Sequence, residues 1–288
     1  MQTNAAETEV SKDMLTPDVI TQLQDLRHLT WTLARESSGT TGSFLKSNET
    51  RDGVKIYYKL SCFDPVKGIV GHESVNELIA DRLLTHLGID HLSYQLIHAL
   101  IRIEGKEYET WVCASENFRR PGEGKLALDD YYALHRTAGE SPLDFCVRYG
   151  WTDYIHEMLL VDFLILNRDR HGANIEVLQD RQTEAVRLAP LFDHGLSLVC
   201  SCYEPPALKK FDVMEDRQVQ CFIGSHSAAE NLKLVPQEVF ASLRPVENRD
   251  RTRIFRHLES CLPAEYFDII WDMILRRWEY CEVLFHTK

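Results

Sequence analysis

Residues 166–174 read Leu-Asn-Arg-Asp-Arg-His-Gly-Ala-Asn and end a long apolar segment. The run Leu191-Phe192-Asp193-His194-Gly195 follows, and between the two runs residues 175–178 and 185–191 predict short strands around a polar turn. The first run supplies an aspartate and, five positions on, an asparagine, and the second run supplies another aspartate. An acid, an amide and a second acid in this order favour a site that holds Mg·ATP and orients a hydroxyl toward the γ-phosphate.

The chain upstream of this stretch predicts a small β-rich half. Residues 53–60, Gly-Val-Lys-Ile-Tyr-Tyr-Lys-Leu, are rich in β-branched and aromatic side chains and predict a strand. Residues 72–87 carry apolar side chains at helical spacing and are followed by Gly88, a typical helix stop. Residues 94–103 and 107–113 flank a Glu-Gly-Lys turn and predict a hairpin. Two further elements are expected near the start, a helix at 19–29 and a short strand at 31–34.

A larger helical half is expected downstream. The tract Arg-Arg-Pro-Gly-Glu-Gly at 119–124 interrupts regular structure and marks the expected boundary between domains 1–118 and 119–288. Beyond it, helices are predicted at 126–149, 154–166, 236–243 and 264–285, and the second of these is apolar on nearly all sides. The expected fold class is therefore α+β, with two lobes of unequal size.

Three polar residues are the candidates for chemistry in the helical half. Asp169 can accept the proton of an incoming hydroxyl or orient it. Asn174 offers a neutral oxygen to Mg²⁺, and Asp193 offers an anionic oxygen. The alternative interpretation is structural, in which Asp169, Arg170 and His171 form a buried salt-bridge network. The second aspartate after a hairpin favours the chemical interpretation.

In the β-rich half, Lys59 ends the predicted strand and can contact the α- and β-phosphates of ATP. Glu77 on the following helix is the candidate partner of Lys59, and Glu73, one turn earlier, competes with it. The alternative is a solvated pair of little energetic value.

A small-residue loop precedes this strand and can offer backbone N–H groups and hydroxyls to phosphate. It departs from the full glycine-rich nucleotide-binding patterns, so a plain surface turn is the alternative. Its candidate nucleotide-binding residues are Gly39, Thr40, Thr41, Gly42 and Ser43.

Composition limits the classes of function. The formal net charge of −12 disfavours a general binder of nucleic-acid backbones. There is no apolar run long enough to span a membrane and no secretory signal. The eight cysteines form no repeating framework, which favours reduced cysteines in the cytoplasm and disfavours a zinc site. The expectation is a cytoplasmic protein without membrane or nucleic-acid partners.

The motifs resemble those of the HipA-like serine/threonine protein kinases, relatives of the protein-kinase and phosphatidylinositol-kinase folds. The resemblance spans roughly residues 35–200 and is carried by 167–174, by 188–197, and by Asn76-Glu77 with the later Leu87-Gly88-Ile89. It implies a bilobal protein-kinase-like fold that uses ATP and Mg²⁺.

The resemblance also implies a role for each matching residue. Asp169 would be the catalytic base, Asn174 and Asp193 would bind Mg²⁺, Lys59 would contact the phosphates and Glu77 would support Lys59. Residues 113–118 would form the hinge that meets the adenine, with Glu116 and Phe118 as candidate contacts. Autophosphorylation is implied in the small-residue loop, and its candidate positions are Ser37, Ser38, Thr40, Thr41 and Ser43.

The chain is shorter than full-length HipA toxins and carries His194 where many kinases have phenylalanine. The leading hypothesis is an ATP- and Mg²⁺-dependent protein kinase acting on Ser/Thr hydroxyls, with an antitoxin or regulatory partner as a candidate. The alternatives are a kinase for a lipid or small molecule, and a pseudokinase that binds a nucleotide or a partner without turnover. The sequence does not name the protein substrate.

Overall fold

The computed structural model describes residues 17–32 and 44–286. Its main feature is a five-stranded sheet in the order β1-β6-β7-β3-β2, in which β1 and β6 are parallel and the other neighbours are antiparallel. A helix, α1, follows the strands β4 and β5 and packs against this sheet. The elements of this first part are β1 (Val19–Asp25), β2 (Lys46–Arg51), β3 (Val54–Lys59), β4 (Phe63–Asp64), β5 (Gly68–Ile69), α1 (Glu73–Leu87), β6 (Gln95–Ile103) and β7 (Lys106–Glu116).

The second part is mainly helical and carries two small sheets, β11-β10-β8 and β12-β9. The 3₁₀ turns Gly172–Asn174 and Asn248–Asp250 complete it. Its elements are β8 (Glu123–Ala127), α2 (Leu128–His135), α3 (Pro142–Arg148), α4 (Thr152–Leu164), β9 (Asp169–Arg170), β10 (Glu176–Asp180), β11 (Val186–Leu188), α5 (Pro205–Leu208), β12 (Gln220–Cys221), α6 (Ala228–Leu232), α7 (Gln237–Ser242), α8 (Arg251–Ile254) and α9 (Ala264–His286).

Helix α1 joins the two parts. It ends at Gly88, whose φ of 85° is a left-handed conformation and whose N–H donates to the Leu84 carbonyl at 2.9 Å. Its apolar side chains belong to the same buried cluster as those of α4, such as Leu78 and Leu160. A second, smaller cluster around Tyr58 and Ile101 fills the other side of the sheet. The main core thus continues from the sheet through α1 into the helical part.

Two sequence-based expectations for secondary structure were wrong. Residues 19–25 form an edge strand beside β6 rather than the start of a helix at 19–29, because pairing with a long neighbouring strand outweighs a weak helical pattern. Residues 126–149 form the end of β8 and two helices, because Pro142 begins α3 and Ser141 caps it by accepting the Asp144 N–H at 3.2 Å. Of residues 31–34, Thr32 pairs with Lys46 and the last two lie outside the described residues.

Within residues 17–32 and 44–286, no helix combines the length and the apolarity that crossing a membrane requires.

Candidate active site

A cleft of about 1050 Å³ lies where the sheet faces the helical part. Phe44 and Lys46 line it from the sheet side. Asp169, Asn174 and Asp193 line it from the helical part. The structure therefore brings together residues from both predicted lobes, although they are far apart in the sequence.

Lys59 reaches this region from the end of β3, where it lies opposite Lys46 of β2 and Cys113 of β7. Its ammonium donates to Glu77 Oε1 at 2.8 Å and forms a short ion pair with Asp193. The Glu77 side chain is fully buried, and its second oxygen accepts the His194 N–H at 2.7 Å. One glutamate thus holds both the lysine and the loop that follows Asp193.

Burial and charge act in opposite directions in this cluster. Burial alone would lower the pKa of Lys59, but Asp193 and Glu77 raise that pKa above its ordinary range. Burial also raises the pKa of Glu77, with repulsion by Asp193 adding to it and Lys59 opposing it. For Asp193, burial would raise the pKa, but Lys59 and Lys46 hold it below its ordinary range. Lys59 and Asp193 are therefore a charged pair at neutral pH.

Glu73 does not contact Lys59. Its Oε2 accepts the Cys62 N–H at 3.0 Å, and its Oε1 accepts the Tyr203 hydroxyl at 2.9 Å. Of the two glutamates that the sequence left open, Glu77 is the one beside Lys59.

The conformation of Asp193 is fixed by a chain of hydrogen bonds behind the cleft. Asp193 has a φ of 58°, and its N–H donates to the Tyr94 hydroxyl at 3.1 Å. The Tyr94 N–H donates to Asp81 Oδ2 at 2.6 Å, and Asp81 Oδ1 lies 2.8 Å from His91 Nε2. His91 also pairs with Leu191 through a parallel β-bridge. Residues 91–94 thus support the loop that carries Asp193.

Asp169 lies in the two-residue strand β9, which pairs with β12. Its carboxylate is partly exposed to the cleft and lies 3.4 Å from His171 Nε2. Burial raises the pKa of Asp169, with repulsion by Asp193 adding to it, while His171 and Lys59 oppose the shift. A carboxylate with a raised pKa is a better proton acceptor than an ordinary aspartate.

Arg170 carries the structural network that the sequence offered as an alternative, but its partner is Asp162 of α4. The fully buried guanidinium makes two hydrogen bonds of 2.9 Å to Asp162. It also donates to the carbonyls of Asn174 and Phe192, at 3.1 and 2.8 Å. One arginine therefore ties the Asp169–Asn174 stretch to the residue that precedes Asp193.

The side-chain oxygens of Asn174 and Asp193 suit a hard divalent cation as ligands. The Asn174 side-chain N–H donates to the Asp169 carbonyl at 2.7 Å, so the amide oxygen of Asn174 points away from that carbonyl. Lys59 bonds Oδ1 of Asp193, and no hydrogen bond to its Oδ2 is found among the described residues. A neutral and an anionic oxygen are the ligand types that Mg²⁺ prefers. Within the described parts of the chain, no group of three or more His, Cys, Asp or Glu side chains forms a further metal cluster.

Two glycines permit close packing at the site. A Cβ at Gly172 would lie 2.4 Å from the Asp129 Cβ and 2.9 Å from its backbone nitrogen. A Cβ at Gly195 would lie 3.1 Å from Glu77 Oε1 and 3.3 Å from Lys59 Nζ. Both glycines thus allow the backbone to approach the residues that arrange the cleft.

The hinge expected at 113–118 lies partly within β7, which continues to Glu116. Glu116 pairs with Ile56 of β3 and has an exposed side chain. Phe118 follows the strand, and its ring lies 5.7 Å from that of Phe192 beside Asp193. The segment that joins β7 to β8 is therefore 117–122, and Phe118 lies near the cleft.

The candidate loop residues fall outside the described part of the chain. These are Ser37, Ser38, Gly39, Thr40, Thr41, Gly42 and Ser43.

Other site residues were not singled out from the sequence. Lys46 lines the cleft beside Phe44, and Tyr94 and Asp81 support Asp193 from behind. The residue pattern of 53–60 predicts a strand but does not show which strand pairs with it, so the sequence offered no reason to place Lys46 at the cleft. An aspartate at 162 inside an apolar helix was the available signal for the buried pair with Arg170.

The sequence matches no protein-family model and no curated protein. Its fold matches solved structures, one of which is described as a kinase. The Helicobacter pylori proinflammatory kinase CtkA matches with a TM-score of 0.61 at 12% identity, over 91% of this chain and 97% of CtkA. HipA of Shewanella oneidensis MR-1, from a toxin–antitoxin complex with HipB and operator DNA, matches with a TM-score of 0.50 at 15% identity, over 86% and 66% of the two chains. The expected α+β bilobal kinase fold of the HipA type is thereby confirmed.

Proposed function

We propose that this chain is an ATP- and Mg²⁺-dependent protein kinase that transfers the γ-phosphoryl group to Ser or Thr hydroxyls. The observation that carries the proposal is that Asp169, Asn174 and Asp193 line one cleft, and that Lys59, held by Glu77, pairs with Asp193 at its edge. Glu77 and Asp193 hold Lys59 charged, so its ammonium is placed to bind phosphate oxygens. The fold shared with CtkA and HipA supports the same class of reaction.

Asp169 orients the acceptor hydroxyl and receives its proton. Its partly exposed carboxylate opens into the cleft, and its raised pKa favours proton acceptance. Asn174 and Asp193 would hold Mg²⁺, which when bound neutralises the charge of the phosphates. Arg170 and Tyr94 keep the two loops in place, so that positioning and electrostatics supply most of the catalysis.

The proposal includes autophosphorylation of a hydroxyl within residues 37–43, which precede the cleft-lining Phe44 and Lys46. These residues are supported as acceptors because they directly precede two cleft-lining residues in the sequence. The proposal also includes a cytoplasmic location and a regulatory or antitoxin partner, which rest on the sequence alone.

Nucleotide binding and acceptor class form the first test. We expect Mg·ATP to bind to the wild-type protein and to raise its melting temperature. The Lys59→Met variant should bind Mg·ATP roughly 10- to 100-fold more weakly, because a charge-assisted hydrogen bond to the phosphates is lost. Lys67→Met removes an equal charge from the exposed β4–β5 turn and is the matched control.

The class of acceptor is tested by incubating the wild-type protein with radiolabelled ATP, once with protein acceptors and once with phosphoinositide vesicles. We expect the label to appear on protein. Labelled lipid alone would replace the protein-kinase proposal with a lipid kinase, and binding without any transfer would favour a pseudokinase.

A further inference from the structure

Arg168 immediately precedes Asp169 and lines the same cleft. Its backbone is fixed on both sides: its N–H donates to the Leu196 carbonyl at 3.1 Å, and its own carbonyl accepts the Gln220 N–H at 2.9 Å. Its side chain forms no ion pair with the described residues, and its buried Nε has no hydrogen-bond partner among them. The backbone of Arg168 is thus fixed at the cleft, and no anion among the described residues pairs with its side chain.

The polar neighbour of this guanidinium is the thiol of Cys200. Burial raises the pKa of Cys200 to about 11, so the thiol is neutral at physiological pH. A neutral thiol is a weak acceptor and does not replace the water that a guanidinium loses on burial. By contrast, Arg170, two residues further along the chain, has a bidentate carboxylate partner in Asp162.

Several side chains without a negative charge line the same cleft as Arg168. They are Ser201, Tyr203, Gln218, Gln220 and His226.

Among the residues that the structure describes, four carboxylates line the cleft, and each has a partner other than Arg168; that of Asp169 is His171, at 3.4 Å. Asp193 pairs with Lys59, and Glu176 accepts from Lys125 at 2.7 Å. Asp129 accepts the Asp130 N–H at 2.9 Å. In an acidic chain, this part of the cleft therefore favours an anion from another molecule.

We propose that Arg168 binds an anionic side chain, an Asp or Glu that lies next to the accepting hydroxyl of the protein substrate. The adjacent position of Asp169 places this anion beside the group that receives phosphate. The planar guanidinium suits a carboxylate because it can form two parallel hydrogen bonds to it. The inference rests on the proposed function and names a preference for acidic acceptors.

Peptide binding tests this preference without requiring turnover. The probes are two blocked peptides with a central serine, one flanked by glutamates and the other by glutamines. Their affinities for the full chain would be measured by fluorescence anisotropy in the presence of Mg²⁺ and a non-hydrolysable ATP analogue. We expect wild type to bind the glutamate peptide at least about tenfold more tightly, and Arg168→Gln to lose this ratio while keeping its affinity for the analogue.

Arg244→Gln removes the same charge from an exposed position that does not line the cleft, and is the matched control. It should keep the full preference. Arg168→Lys keeps the positive charge but lacks the planar guanidinium, so it should keep only part of the preference for the glutamate peptide. This variant tests the inference if Arg168→Gln does not fold.

Equal affinity of wild type for the two peptides would overturn the inference, as would an undiminished preference in folded Arg168→Gln. A failure of the proposed function looks different, because the analogue would not bind or no phosphate would be transferred. An Arg168-dependent preference for the glutamate peptide supports the inference even if transfer to the peptide is absent.

Discussion

Gly172 shows how one small residue sets the geometry of the site. It begins the 3₁₀ turn that carries Asn174, and its α-carbon faces the first turn of α2 at Asp129. Because the nearest atoms include backbone, a side chain at Gly172 has to displace the turn rather than a flexible neighbour.

Gly172→Ala is therefore expected to destabilise the chain by roughly 1–3 kcal/mol and to reduce activity by moving Asn174. Gly124→Ala is the matched control, because a Cβ there meets its nearest atoms only at 3.9 Å, and we expect a change of about 0.5 kcal/mol or less. Chemical denaturation of both variants measures the difference. Equal stability of the two variants would contradict the close packing at Gly172.

The choice between Glu73 and Glu77 shows what residue patterns leave open. Both glutamates are buried on α1 one turn apart, and both have partners outside the helix. Helical spacing cannot separate them, because the choice depends on where Tyr203 and Lys59 lie in space. The order of the motifs and the identity of Asp169, Asn174 and Asp193 as cleft residues were predictable because those residues are local to short loops.

At the scale of elements, the pair Asp162–Arg170 joins α4 to β9, and Arg170 also holds the loop before Asp193 through the Phe192 carbonyl. A buried pair is costly to break from one side, because the remaining charge has no partner. Arg170→Met should therefore destabilise the chain by roughly 3–5 kcal/mol. The double variant with Asp162→Leu should be less destabilised than Arg170→Met alone, since no charge is left buried.

A thermodynamic cycle from denaturant unfolding checks this coupling. Phosphate transfer should remain low in the double variant, because the hydrogen bonds to the Asn174 and Phe192 carbonyls are still missing. Additive effects of the two substitutions would show that the pair is not coupled.

The segment between α1 and β6 holds a histidine that faces two acceptors. His91 Nδ1 lies 2.7 Å from the Ile89 carbonyl and Nε2 lies 2.8 Å from Asp81, so both nitrogens have a partner when the ring is protonated. Burial alone would lower the pKa of His91, but the hydrogen bonds to Asp81 and Ile89 and the charges of Asp81 and Asp90 raise it above 6.5. Thr85 and the buried ring of His194 also face this group.

Since the pKa of His91 is raised on folding, its stabilisation is fully present below 6.5 and is lost as the pH rises through the folded value. The difference in free energy of unfolding between wild type and His91→Gln should therefore shrink from pH 6 to the alkaline side. His135→Gln, at an exposed position, controls for removing a histidine. A difference that stays constant or grows with pH would contradict a charged His91.

Elements were predictable where local signals agreed with their surroundings. Helix α1 had apolar spacing and a Gly88 stop, and the hairpin β6–β7 had a two-residue Glu104-Gly105 turn between β-prone strands. Residues 19–25 had no comparable local signal, because their state depends on a distant partner, β6. The same limit applies to β9 and β12, which are too short to be recognised before they are paired.

At the scale of the whole molecule, an acidic chain holds a cleft that carries charges of both signs. The formal net charge is −12, and Asp169 and Asp193 line the cleft beside Lys46, while Lys59 adjoins it through its ion pair with Asp193. Lysines beside carboxylates suit a phosphate-bearing ligand together with a metal ion, and the acidic net charge disfavours unspecific binding to nucleic acid. The continuous core through α1 holds Glu77 between the sheet and the helical part, so Glu77 contacts Lys59 from the sheet and His194 from the helical part.

In the proposed reaction, the acceptor hydroxyl takes the γ-phosphoryl group while Asp169 orients that hydroxyl and receives its proton. Intact-mass measurement and peptide mapping after incubation with Mg·ATP, for wild type beside Asp169→Ala, test it most directly. We predict phosphate on wild type, within residues 37–43, and at least about a hundredfold slower transfer by Asp169→Ala with nearly unchanged nucleotide binding. Equal phosphate on both proteins, or no nucleotide binding by folded wild type, would contradict the account.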